Sequence, residues 1–378
     1  MQSVLISGGG IAGLLFAGAL RRHGFAVTVL ERAAKPRTTG QAVDVRGAAL
    51  AVMDRLGCRA ELEQRRTTLR GMSWLDGNGT EQWRSEEFVL SSGRLDSEDV
   101  EILRAELTEL LADDLARVDE ARDDAPTELI HGDWITAMTD GADGVAVEFA
   151  RAAPRRFDLV VGADGLYSGV RRLAFGPPEQ WLHHLGAYLA VFGGPNLFEL
   201  DQWQVWLQDP AATYVVYPTR DNAEVRITVG FESEPMPIDH RDEPEHRRLI
   251  AERIARIPWR TEAMRSTLDE SEDFQFGAMA QVRLDRWSRG RVALIGDAAS
   301  CPSPLTGQGT SLAIVQAYVL AQELARHAAE PDGHLAAFRT YEERLRPFVE
   351  ANQALVGEER QAADSEAVDR VKNAVDLG

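Results

Sequence analysis

The sequence predicts an α/β fold: a Rossmann-like nucleotide-binding domain that carries an inserted antiparallel-sheet domain and ends in a C-terminal helix. Three observations predict it. A strand–glycine–helix–strand–acid unit opens the chain at residues 4–31. Two further strand–acid–glycine–helix junctions come later, at residues 158–171 and 291–317. Between those two junctions, residues 186–231 switch to the period of two that marks half-buried strands.

The first unit is a buried strand at residues 4–7, then Gly8-Gly9-Gly10-Ile11-Ala12-Gly13, then a helix to about His23 stopped by Gly24. A second strand at residues 25–30 ends at Glu31, eighteen residues past Gly13. In a dinucleotide unit Gly8 permits the tight turn, Gly10 lets a pyrophosphate approach, and Gly13 lets helix and strand pack closely. Glu31 stands where an acid can bind ribose hydroxyls.

A polar loop at residues 37–47 carries Arg37, Asp44 and Arg46 and leads to a helix at residues 48–56. Spacing alone leaves those three as solvated charge or as ligand contacts. Residues 71–75 and 80–84 read as a hairpin around Asp76-Gly77-Asn78-Gly79. Residues 99–111 read as a helix with a leucine stripe, and Arg104 opens its Arg-Ala-Glu-Leu pattern. Short strands are expected at 128–131, 134–138 and 145–149, then a buried strand at 158–161 running into Gly162-Ala163-Asp164-Gly165.

Residues 186–231 supply four strands rich in Trp, Tyr and Phe, residue types that suit either an ordinary sheet core or an aromatic ligand. A helix is expected over 244–268 and a returning strand over 274–284. The third junction puts Asp297 after an apolar strand, then a Pro/Gly loop holding Gly307, Gln308 and Gly309, then a helix start. Glycines there let a ligand touch backbone, and the free N–H groups of the first helical turn stabilise negative charge. A helix at 335–352 closes the ordered chain, and the charged tail beyond Gly357 is expected to fray.

Composition narrows the function classes. The 378 residues carry a net charge of −19 with no basic blocks, which argues against nucleic acid as a partner. No apolar run approaches the ~18 residues of a membrane span, and the apolar N-terminus lacks a basic leader, so it is read as structure. The two cysteines, Cys58 and Cys301, indicate no disulfide framework and fit a cytoplasmic location. The scattered histidines, including His183-His184, do not support a metal site.

Together the three junctions resemble the class A flavoprotein monooxygenases of the para-hydroxybenzoate hydroxylase fold, and in particular the tetracycline-inactivating type. The resemblance implies bound FAD and divides the chain into an FAD-binding domain (1–72, 99–174, 275–330), a substrate domain (73–98, 175–274) and a C-terminal helical segment (331–378). It implies that Gly8, Gly10 and Gly13 hold the pyrophosphate and Glu31 the adenosine ribose. Asp164 and Gly165 contact FAD, Asp297 the ribityl region, and Gly307, Gln308 and Gly309 face the isoalloxazine ring. Arg104 resembles an arginine that reaches the flavin, Asp44 a flavin-loop acid, Arg37 a nicotinamide contact, and Arg46 a further residue of the loop beside a mobile flavin. Ser300, Ser303, Ser311 and Gln316 depart from the family pattern, which more often has His, Pro, Asn and an acid there.

The implied activity is hydroxylation of an aromatic or polycyclic small molecule through a flavin C4a-hydroperoxide, with NADPH or NADH as reductant and O₂ as co-substrate. No catalytic side chain is assigned, although Tyr214 and Tyr217 are available as helpers or packing groups. The expected state is a monomer or weak homodimer. A flavin-dependent reductase, dehydrogenase or epoxidase on the same fold stays open, as does a non-catalytic flavin-fold binding protein.

Overall fold

The computed structural model describes residues 2–35, 40–90, 93–237, 239, 242–357 and 365–378. Its centre is a six-stranded sheet. Across that sheet run Ser288–Arg289, Val292–Leu294, Leu159–Gly162, Ser3–Ser7, Ala26–Glu31 and Glu128–His131. All neighbours pair in parallel except Ser288–Arg289 with Val292–Leu294. The central strands are buried along nearly their whole length, which is why they read as continuous apolar runs.

Helix Ile11–Arg22 packs on this sheet beside Gly309–Arg326, and the long helix Gly333–Gln353 lies against the latter. Leu14, Leu15, Phe16, Leu312, Ile314, Phe338 and Leu345 fill the layer between them. Each such side chain contributes about 1.5–3 kcal/mol on burial. No described helix is long and apolar enough to cross a membrane.

The second layer is a seven-stranded sheet in the order Gln275–Val282, Leu182–Pro195, Glu224–Glu232, Ala212–Pro218, Trp203–Asp209, Gly71–Asp76, Glu81–Ser85. One face, including Tyr214, Val216, Ile227 and Phe192, packs on helices Glu243–Ile254 and Thr261–Glu270. The expected strands and the 71–84 hairpin are present, but the sheet is mixed rather than antiparallel. Trp203–Asp209 pairs in parallel with Gly71–Asp76, which brings the hairpin into the sheet.

Other expectations need correction. Residues 99–111 are not one helix: Val100–Leu103 is a strand paired with Ala42–Val45, and the helix runs from Arg104 to Glu120. Its apolar Val-Glu-Ile-Leu run fits either period, and the partner strand decided it. The 244–268 helix is broken near Pro258, and Thr261–Glu270 starts after Arg260 in the left-handed region. A strand at Arg155–Phe157 extends the Ile135–Gly141/Gly144–Phe149 hairpin.

The last residues are also docked. Ser365–Val371 is helical, the Ala48 N–H donates to the Lys372 carbonyl at 3.1 Å, and Lys372 Nζ reaches Asp99 at 2.8 Å. Residues 358–364 of the tail lie outside the described residues.

Candidate cofactor and substrate site

Four neighbouring parallel strands end at one edge, and the three junctions lie just beyond their ends. In spatial order the edge carries Glu31, Gly8, Asp164 and Asp297. At one strand spacing per step the row is about 15 Å long. A crevice outside the carboxyl ends of a parallel sheet is where this architecture binds nucleotides.

At one end, the Gly9 and Ala33 N–H groups donate to the two Glu31 carboxylate oxygens, each at 2.8 Å. The glycine loop and the acid are therefore one unit. Gly8 has φ +114°, and a Cβ on it would stand 2.3 Å from the Ala163 carbonyl oxygen, so it meets the second junction directly. A Cβ on Gly13 would stand 1.9 Å from the Gly8 carbonyl oxygen, whereas one on Gly10 would meet nothing within 4 Å. Gly8 and Gly13 thus serve packing, and Gly10 leaves open approach.

Asp164 is turned inward. The Gly169 and Val170 N–H groups donate to its Oδ2 at 2.8 and 3.1 Å, and the Ser168 hydroxyl donates to Oδ1. Ser168 is the N-cap of helix Gly169–Phe175, its hydroxyl accepting from Arg171 N at 2.9 Å, and Asp164 takes up two further N–H groups of the first turn. Burial raises its pKa against these hydrogen bonds. Gly165, at φ +77°, has open space where a Cβ would stand.

Arg171, seven residues past Asp164, ties this junction to the third. It is almost fully buried and donates to the Leu166 and Ala298 carbonyls, the latter at 2.8 Å, with its guanidinium 4.2 Å from the Trp181 ring centre. No local signal could announce contacts across 127 residues.

Asp297 begins the short helix Asp297–Ser300 after Gly296 at φ +59°. Burial raises its pKa, and the Arg104 charge opposes that rise. Arg104 is also bound to the flanking loop, its N–H donating to Gln41 O at 3.0 Å. Asp44 and Arg46 form a buried ion pair at 2.8 Å, their side chains 9% and 8% exposed. Burial pushes Asp44 up to about 7 despite the guanidinium. A Cβ on Gly307 would stand 3.7 Å from Arg46 Nη2 and 3.8 Å from Asp44 Oδ2, so the structure brings the 44–46 loop onto the third junction. Arg37 lies outside the described residues.

Gln308 is fully buried, and neither its Oε1 nor its Nε2 has a hydrogen-bond partner among the described residues. Asp44 Oδ1 is in the same condition. A buried amide is normally bonded, so both are groups that a polar ligand would satisfy. Helix Gly309–Arg326 begins directly after Gln308, with no side chain capping its first turn.

Two of the departures from the family pattern, Ser300 and Gln316, support each other. Gln316 Nε2 donates to the Ser300 hydroxyl at 2.7 Å, and its Oε1 accepts from Gly296 N at 3.0 Å and from the Tyr341 hydroxyl at 3.1 Å. Ser311 Oγ accepts from Arg46 N at 3.0 Å, fastening the 44–46 loop to the helix. Ser303 holds φ +81°, a backbone region that favours glycine, and so carries local strain.

The seven-stranded sheet faces this edge. Alternation turns Tyr214 into the helix-side core, with its hydroxyl pKa raised to about 12 by burial, and turns Val215 and Tyr217 toward Leu103 and Ala42. The Tyr217 hydroxyl accepts from Ala42 N at 2.7 Å, and burial pushes its pKa up. Neither tyrosine is placed as a base: Tyr214 faces away, and Tyr217 fastens sheet to loop.

The glycine cradle, Gly10's open approach, the unpaired Gln308 amide and the uncapped helix start all fit a flavin dinucleotide. Comparison with known proteins agrees. Residues 1–355 match the model of the FAD binding domain family. An uncharacterised Mycobacterium tuberculosis protein is 42% identical over 95% of this chain and 93% of its own length. A flavin-dependent monooxygenase of Legionella longbeachae is 36% identical over 93% of this chain and 86% of its own. The crystal structure of tetracycline destructase Tet(51) superposes with a TM-score of 0.87 at 29% identity, covering 100% of this chain and 99% of that one. The chain therefore belongs to the FAD binding domain family, and within it to the FAD-dependent monooxygenases of tetracycline-destructase type.

Proposed function

We propose that this monooxygenase hydroxylates an aromatic or polycyclic small molecule, taking electrons from NADPH or NADH and one oxygen atom from O₂. One observation carries the reading: the sheet face bearing Trp206, Val215 and Tyr217, with Gln204 and Arg226 among them, packs on Leu103 and Ala42 of the loop at the end of the cofactor row. A ligand held there meets Val215, Leu103 and Trp206 rather than water.

The same proposal assigns the site. Gly8, Gly10 and Gly13 shape the pyrophosphate cradle, and Glu31, already anchored by Gly9 and Ala33, orients the adenosine ribose. Asp164 and Gly165 form the neighbouring wall, Asp297 accepts from ribityl hydroxyls, and Gly307, Gln308 and Gly309 meet the ring. Arg104 and the Asp44–Arg46 pair set the charge beside it.

When bound, FAD supplies hydride acceptance and oxygen activation. The chain supplies the surroundings. The first turn of Gly309–Arg326 directs unpaired N–H groups toward negative charge. The Gln308 amide can donate and accept in one buried place. Leu103, Val215 and Trp206 exclude water, which strengthens each polar contact.

A panel of phenols and polycyclic aromatics, scored by NADPH consumption together with product mass on the FAD-loaded protein, tests the reading. Substrate-stimulated consumption with an oxygenated product supports it. Consumption without product for every member contradicts it.

A further inference from the structure

Asp44 and Glu101 stand directly opposite each other on the paired strands Ala42–Val45 and Val100–Leu103. Alternation sends Val45, Val100 and Ile102 into the main core and turns Ala42 and Leu103 toward the seven-stranded sheet. Asp44 lies two residues from Ala42 and Glu101 two from Leu103, so both acids share that second face. Both are buried, at 8% and 7% exposure. Opposed residues on an antiparallel pair stand about 4.5–5.5 Å apart at Cβ, and like charges placed so repel.

The cations nearby do not neutralise both. Arg46 pairs with Asp44 at 2.8 Å. Among the described residues Glu101 has no ion-pair partner, and its carboxylate accepts from the neutral Thr67 hydroxyl at 2.7 Å. Other charges around the pair are engaged elsewhere. Lys372 holds Asp99 at 2.8 Å, the Arg104 charge faces Asp297, and Arg66 donates to the Ser97 and Asp99 carbonyls. On the sheet side the facing group is Tyr217. Burial, and after it the Glu101 and Asp44 charges, hold that hydroxyl neutral, while Arg226 opposes them and is itself paired with Glu224. The third junction meets Asp44 through Gly307, which carries no charge.

One guanidinium thus serves two buried carboxyl groups. Such a pair lowers its energy by keeping one proton between its members. Burial is the main influence raising the Asp44 carboxyl; Arg46 opposes it, and the Glu101 charge adds to the rise. A protonated Asp44 can keep Oδ2 on Arg46 and use its unpartnered Oδ1 as an O–H donor. This carboxyl stands at the flavin end of the cofactor row, its Oδ2 3.8 Å from the place of a Cβ on Gly307.

We propose that Glu101 is a positioning residue that keeps the Asp44–Glu101 pair singly protonated near neutral pH, so that Asp44 offers the flavin an O–H donor in place of a second negative charge. The proposal rests on the FAD site assigned above and gives a role to a residue that acts on the cofactor through Asp44.

The test is FAD binding by the full chain from about pH 5 to about pH 8.5, followed by flavin fluorescence. At each pH the wild-type Kd is divided by that of Asp44→Asn, whose amide keeps an N–H donor, so that other titrations cancel. The ratio is expected to be flat at low pH and to rise by up to about tenfold per pH unit above about pH 7. Glu101→Gln keeps the shape and an acceptor for Thr67. The same ratio measured in its background is expected to begin its rise about one pH unit or more lower. Glu101→Asp, which keeps the charge, is expected to leave the rise in place. A merely structural Glu101 would weaken binding at every pH without moving the rise. An unmoved rise in Glu101→Gln, or a wild-type ratio flat across the range, overturns the proposal while the FAD site stands. Wild-type protein that binds no FAD at any pH removes the site and the proposal together.

Discussion

Gly10 and Gly13 stand three residues apart in one motif, and the structure gives them opposite reasons for being glycine. A Cβ at Gly13 would lie 1.9 Å from the Gly8 carbonyl oxygen and 3.1 Å from its carbon. Backbone must move to admit it, so Gly13→Ala is expected to destabilise the protein by about 1–3 kcal/mol or more. A Cβ at Gly10 meets nothing within 4 Å, and its φ of −87° and ψ of −168° are open to alanine. Gly10→Ala is therefore expected to leave the melting temperature of the FAD-free protein nearly unchanged. If the pyrophosphate approaches there, the added methyl crowds it. Overpacking of about 1–3 kcal/mol corresponds to FAD binding roughly 5- to 150-fold weaker. Thermal melts of the FAD-free variants and a fluorescence titration with FAD separate the two effects. A Gly10→Ala protein that binds FAD as the wild type does would refute the cradle assignment.

Other substitutions probe the remaining junctions. Asp297→Ala is expected to keep the fold and lose most bound FAD, read as the flavin-to-protein absorbance ratio; full occupancy would remove Asp297 from the site. Glu31→Ala should weaken FAD by about tenfold or more, on the scale of ~1.5–3 kcal/mol for a hydrogen bond to a charged group, and an unchanged titration counts against it. Gln316→Leu strands the Gly296 N–H and the Ser300 hydroxyl, while the Tyr341 hydroxyl keeps the Leu294 carbonyl, and is expected to cost about 2–5 kcal/mol in denaturant unfolding; a loss below about 1 kcal/mol contradicts the network's role. The Asp44 carboxyl has a folded pKa of about 7, above its unfolded value of 3.8, so the folded state holds the extra proton between those pH values. Its contribution to stability is present below about pH 4 and is lost as pH rises to about 7, with a slope of up to about 1.4 kcal/mol per pH unit. The stability difference, wild type minus Asp44→Asn, should fall over that window, and a flat difference would show that Asp44 is already ionised at low pH.

The parts of the fold legible in the sequence were those whose physics is local. The Gly8–Glu31 unit could be read because tight turn, helix packing and strand burial each demand a residue type at a fixed offset, and the structure joins Glu31 to Gly9. Period two in residues 186–231 likewise revealed a sheet with two different faces. What stayed hidden depends on distant partners. Val100–Leu103 is a strand because Ala42–Val45 lies beside it. Arg171 looks like a surface charge until Leu166 and Ala298 close around it. Ser300 and Gln316 read as separate departures, yet each is the other's hydrogen-bond partner. Trp206 joins Trp74 only through a parallel strand pairing that no local pattern shows, whereas Trp74 meets Trp83 across the antiparallel hairpin that its turn residues announced.

The central claim, oxygen transfer to an aromatic or polycyclic compound, is tested most directly with ¹⁸O₂. A substrate from the panel is turned over by the FAD-loaded protein with NADPH, and the product is weighed by mass spectrometry. The account predicts one ¹⁸O atom per product molecule and one NADPH consumed for each. Product carrying only unlabelled oxygen, or an oxidised product with no added oxygen, would contradict it.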